Sequence, residues 1–106
     1  MDLTGKRALV TGASRGLGAA IAERLAKAGA AVAIHYHRDR AAAERIAAAV
    51  VEAAGEPVAR RPLLLQADLA DPAAVDAAVA QIEQAWGGLD LVVNNAGVAP
   101  VLPWDS

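Results

Sequence analysis

At 106 residues, 56% of them hydrophobic, the chain has room for one small domain and ample material for a core. A net charge of −2 gives no basic surface for nucleic acid, and no apolar run approaches the roughly 20 residues of a membrane span. Without cysteine there is neither a disulfide framework nor a thiolate metal site, and Met1 to Lys6 has no apolar signal-peptide core, so a cytoplasmic, metal-free protein is expected.

The first predicted strand, Arg7 to Thr11, runs into Gly12-Ala13-Ser14-Arg15-Gly16-Leu17-Gly18 and then into a helix with Leu17, Ile21 and Leu25 at helical spacing, ending at Gly29. Such a turn is a phosphate cradle. Glycine lets the backbone approach a diphosphate, while the free N–H groups and positive dipole end of the helix offset its charge. Taken alone, the same turn also serves as a tight strand-to-helix connection without a ligand. The second strand is expected at Ala31 to His35, followed by a helix carrying Ile46, Val50 and Ala54 that ends at Gly55. A longer polar connection, Gly55 to Pro62, leads to a third strand at Leu63 to Ala67. Asp71 then reads as an N-cap with Pro72 at the first helical position, opening a helix with Val75, Val79, Ile82 and Trp86 before Gly87-Gly88. The fourth strand is expected at Leu89 to Asn94. All four strands are short runs rich in Val, Leu or Ile, the pattern of strands buried on both faces.

Strict alternation of strand and helix implies an α/β fold with a doubly wound parallel sheet. If the second strand lies beside the first and the third beyond it, the fourth falls on the other side of the first, giving the order 3-2-1-4. The switch point between strands one and four brings the glycine turn and Asn94-Asn95-Ala96-Gly97 together at the strand C-termini, where such sheets bind nucleotides. The chain stops at Ser106, so a single, incomplete domain over residues 1–106, truncated after the fourth strand, is expected. That leaves the fourth strand as an open edge and strands one and two partly uncovered on the face carrying the third helix, both inviting self-association.

Thr11-Gly12-xxx-Gly16-x-Gly18, Asp68 after the third strand and Asn94-Asn95-Ala96-Gly97 after the fourth together resemble the short-chain dehydrogenase/reductase family, over essentially the whole chain. The resemblance implies a Rossmann-type fold, a nicotinamide dinucleotide, and hydride transfer to or from a small carbonyl or alcohol substrate. It also implies that Gly12, Ser14, Arg15, Gly16, Leu17 and Gly18 surround the cofactor phosphates, that Asp68 and the Leu69 amide meet the adenine, and that Asn95, Ala96 and Gly97 lie against the cofactor ribose. The plainer reading of Asp68 is a cap on the third helix, but Asp71 already fills that role.

Cofactor choice is read at the end of the second strand, His35-Tyr36-His37-Arg38. An acidic residue there accepts hydrogen bonds from ribose hydroxyls, whereas a 2′-phosphate needs donors and positive charge. Arg15 and Arg38, with His37 as a further donor, point to NADP(H). Asp39 is either a ribose acceptor or the N-cap of the second helix, and its place before the Ala-rich run favours the cap. Arg38 and Arg40 also fit a solvated helix start, and His35 fits a structural role in the interior. The tetrapeptide resembles that of the pteridine-reductase branch, with a 3-oxoacyl-reductase-like branch as the other candidate.

The family's catalytic serine, tyrosine and lysine have no counterparts in the chain. Its one tyrosine, Tyr36, has Arg40 four positions on, its lysines are Lys6 and Lys27, and its serines are Ser14 and Ser106. No residue is therefore assigned a catalytic role, and the chain alone is expected to be inactive, since general acid catalysis is worth about 10² to 10⁴ in rate. The alternatives are a stand-alone NADP(H)-binding module acting with a complementing chain, and a nonfunctional truncation. Trp86 is expected in the core, Trp104 at its boundary, and Asp90 in a structural role.

Overall fold

The computed structural model describes residues 2–12, 16–55 and 61–94. Its elements are β1 (Arg7–Thr11), α1 (Gly16–Lys27), β2 (Ala31–Tyr36), α2 (Arg40–Ala54), β3 (Leu63–Gln66), α3 (Pro72–Trp86) and β4 (Leu91–Asn94). The four strands form one parallel sheet in the order β3-β2-β1-β4, as the alternation of elements predicts. Trp104 lies outside the described residues.

Side chains two residues apart share a face. Ala8 and Val10 of β1 and Val32, Ile34 and Tyr36 of β2 therefore pack together against Ala22, Leu25 and Ala26 of α1 and Ala43 and Val50 of α2. On the opposite face Leu9, Ala33 and Leu65 meet Ile82 and Trp86 of α3. On this face Ile82 and Trp86 of α3 cover Leu9 and Ala33, while Thr11 and His35 line a cavity beside the helix, so the cover over strands one and two is partial. Trp86 is in the core. Leu17 is not part of the α1 core stripe, being 66% exposed: α1 starts at the carboxyl edge of the sheet, and its buried residues are Gly18, Ala22, Leu25 and Ala26. Ala54 is likewise exposed, at the last position of α2.

Helix ends follow local chemistry. Asp39 and Asp71 cap α2 and α3, accepting from the Ala42 and Ala73 amides, and Pro72 stands in the first turn of α3. After α1 the chain turns through Gly29 at φ 104°, where an added Cβ would stand 2.7 Å from the Thr4 hydroxyl, so both backbone and space require glycine.

Three strand boundaries differ from expectation, each because a partner elsewhere sets it. Tyr36 pairs with Gln66, carrying β2 one residue further, while β3 ends there and the Ala67 amide donates to the Tyr36 carbonyl at 3.1 Å. At the amino edge Asp90 is drawn to Arg7: its amide donates to the Arg7 carbonyl at 2.8 Å, and its carboxylate accepts from Arg7 Nε at 3.0 Å. β4 accordingly begins at Leu91. Among the described residues no helix is long and apolar enough to cross a membrane, and no group of side chains could hold a metal ion.

Candidate functional site

β1 and β4 end side by side, with Thr11 opposite Asn94. The Thr11 hydroxyl lies 3.0 Å from Asn94 Oδ1 and 3.3 Å from the Val93 carbonyl, tying the two strand ends across the switch point. One residue on, Gly12 has φ 65°, a left-handed turn that favours glycine. Its amide points inward and donates to His35 Nδ1 at 3.1 Å, so Gly12 shapes the turn rather than presenting its N–H outward. The same imidazole meets the Ala67 carbonyl at 2.8 Å through Nε2. With an N–H donor at Nδ1 and a carbonyl at Nε2, this geometry matches the tautomer that carries its hydrogen on Nε2. His35 is 5% exposed, in the structural role expected for it.

α1 opens at Gly16 with no acidic residue in its first turn. Gly16 is exposed, lies outside the positive-φ region, and has nothing within 4 Å of where a Cβ would stand. Nothing among the described residues requires glycine there, although glycine costs a helix about 1 kcal/mol relative to alanine. A cradle kept clear at a helix N-terminus fits a phosphate group. Gly18, two residues further on, is buried, and Leu17 projects outward between them.

At the end of β2, His37 and Arg38 are exposed, and the Gln66 side chain donates to the His37 carbonyl at 2.9 Å. The alternative role of Asp39 as ribose acceptor is disfavoured by its geometry, since Oδ1 accepts from the Ala42 amide at 2.9 Å as the cap of α2. Arg40 donates to the Tyr36 hydroxyl at 2.7 Å and to Glu44 at 2.9 Å, which raises its pKa, the Tyr36 contact contributing most. Arg38 makes no such side-chain bond among the described residues. Of the two arginines, it is the one available to a ligand.

Asp68 is exposed beyond β3, its Oδ1 accepting from the Ala70 amide at 2.9 Å and its Oδ2 lying 3.8 Å from His37 Nε2. It does not cap α3, which starts from Asp71. The structure thus brings His37 and Asp68 together. Beside them Leu69, 40% exposed, is one wall of a largely apolar cavity of about 220 Å³ between the carboxyl edge of the sheet and α3, with Thr11, His35 and Val79 among its other walls. Ser14, Arg15, Asn95, Ala96 and Gly97 lie outside the described residues.

Two participants were not assigned to the site from sequence. Thr11 stands in the sequence only as the first residue of the glycine motif, though a hydroxyl on the last residue of a buried strand is the signal for a tie to its neighbour. The sequence places His35 in the interior without naming its partners, and the signal for them is its register: it is opposite Leu65 in β3 and one position beyond Ile34, the partner of Val10.

Residues 6–105 match the family model described as short chain dehydrogenase. The chain belongs to the short-chain dehydrogenase/reductase family. It is 44% identical over 96 residues to an uncharacterised oxidoreductase of Methylorubrum extorquens, covering 91% of this chain and 37% of that relative. Among solved structures it is similar to a dehydrogenase/reductase from Sinorhizobium meliloti, with TM-score 0.82, 41% identity, and coverage of 98% of this chain and 39% of that one. A short-chain dehydrogenase from Burkholderia cenocepacia in complex with NADP gives TM-score 0.80 and 50% identity, covering 99% of this chain and 41% of that one. The chain thus spans about two fifths of the length of these family members.

Proposed function

We propose that the chain is the NADP(H)-binding portion of a short-chain oxidoreductase that transfers hydride between the nicotinamide and a small carbonyl or alcohol substrate. The observation that carries the reading is the clear space over Gly16, at a helix N-terminus beside the switch point of a β3-β2-β1-β4 sheet. The similarity to an NADP-bound dehydrogenase over 99% of the chain supports the same ligand.

In this reading the turn shaped by Gly12, with Ser14, Gly16, Leu17 and Gly18, holds the diphosphate. Asp68 and Leu69 receive the adenine next to the apolar cavity, and Asn95, Ala96 and Gly97 meet the ribose. Arg15, Arg38 and His37 face the 2′-phosphate, a choice supported by the engagement of Asp39 with the Ala42 amide. The bound dinucleotide would supply the hydride, and these residues would bind and orient it. Tyr36 is 4% exposed and its hydroxyl accepts from Arg40, a burial that supports leaving it without a catalytic role. No Tyr-x-x-x-Lys pair occurs in the sequence, and these residues alone bind the cofactor without turnover. Residues supplied by further chain or by a complementing chain would complete the reaction, in a cytoplasmic setting.

Titration calorimetry tests the reading. NADPH should bind more tightly than NADH, and Arg38→Ala should weaken NADPH by about tenfold to a hundredfold while leaving NADH unchanged, as expected for loss of one charge-assisted hydrogen bond. Equal affinity for both cofactors would remove the NADP preference, and binding of neither would remove the dinucleotide reading.

A further inference from the structure

The ends of β1 and β3 are not neighbours. β2 lies between them, so at about 4.8 Å per strand spacing they stand roughly 10 Å apart, beyond any direct backbone hydrogen bond. Gly12 follows the last residue of β1, and Ala67 follows the last residue of β3 and precedes Asp68. One side chain bridges the gap. His35, on the strand between, accepts from the Gly12 amide at 3.1 Å and reaches the Ala67 carbonyl at 2.8 Å, from a position 5% exposed.

We propose that His35 is a positioning residue of the dinucleotide site, a two-ended strut that sets the distance between the phosphate-facing turn and the adenine-facing Asp68. The inference rests on the dinucleotide reading above. A ligand that touches both ends has a fixed distance between its diphosphate and its adenine, so a site held at that distance in advance binds it with less ordering cost. The device depends on the ring's polarity at both nitrogens: Nδ1 must accept and Nε2 must donate. Asparagine reproduces only the first contact, because its carboxamide reaches about as far as Nδ1. Glutamine reproduces only the second, reaching about as far as Nε2. Both are small enough for the space and keep a polar group in it.

The experiment compares wild type, His35→Asn and His35→Gln, each checked for folding by thermal melting, in titrations with NADPH and with adenosine 2′-monophosphate, which touches only the adenine end. Loss of one strut contact is expected to weaken NADPH by about three- to tenfold in both variants and to leave adenosine 2′-monophosphate within about twofold. A ring-nitrogen correlation spectrum of the wild type should show His35 protonated on Nε2 and not on Nδ1. Unchanged NADPH affinity in both variants, equal losses for the two ligands, or the opposite tautomer would overturn the positioning role while the dinucleotide reading stands. A wild-type chain that binds neither ligand would overturn that reading and the strut's role with it.

Discussion

Asp90 is defined by one partner. Arg7 offers its carboxylate Nε at 3.0 Å, Nη2 at 3.3 Å and its own backbone amide at 2.9 Å. These hydrogen bonds, those of the side chain first and the backbone second, hold the Asp90 carboxyl down to about 2 from an ordinary 3.8. A folded value below the unfolded one means that the pair's contribution is fully present above the unfolded value and is lost as pH falls through the folded one. Asp90→Asn should therefore be less stable than wild type in urea at pH 7, and the gap should narrow as pH drops below 3.8 and close towards about 2. Both side chains are more than a quarter exposed, so added salt should shrink the gap as well. A gap unchanged across that pH range would assign the effect to shape rather than charge. The structural role expected for Asp90 was readable because it stands just before a strand at the edge opposite the site, but its partner was not, lying 83 residues away.

Helix α2 starts from a single carboxylate, at the position where an acidic residue also serves as a ribose acceptor. Asp39 Oδ1 accepts from the Ala42 amide, and the next residue begins the helix. Asparagine caps as well as aspartate, whereas alanine does not, at a cost of about 1 kcal/mol. Asp39→Asn should thus keep both the urea midpoint and the NADH affinity, while Asp39→Ala lowers stability by that amount. A tenfold loss of NADH affinity in the asparagine variant would return Asp39 to the role of ribose acceptor. Caps of this kind were legible because Asp and Pro-flanked starts act within a few residues of themselves. The same locality explains what was missed. Leu17 continues a helical stripe with Ile21 and Leu25, yet the sheet ends before it, and only the placement of α1 against β1 shows that it projects outward.

The strand order was legible because parallel strands joined by right-handed crossovers admit few arrangements, and short Val- and Leu-rich runs mark the strands without ambiguity. The strut through His35 was not, since it depends on three strands meeting in register. The most consequential surface at this scale is the outer side of β4. No strand pairs with it among the described residues, and Leu91, Val92 and Val93 are only partly buried. Leu91 and Val93 pack towards the α1 and α2 side, whereas Val92, in register with Leu9, points to the face of α3 without joining its cluster. An open edge of this composition is a template for pairing with a second copy, and a lysine on it opposes that pairing. The chain is therefore expected to self-associate in size-exclusion chromatography with light scattering, and Val92→Lys to shift it towards monomer at the same concentration without changing its affinity for NADPH. An unchanged mass in the variant would place the contact away from β4, and a monodisperse wild-type monomer would show that the edge is protected by other means.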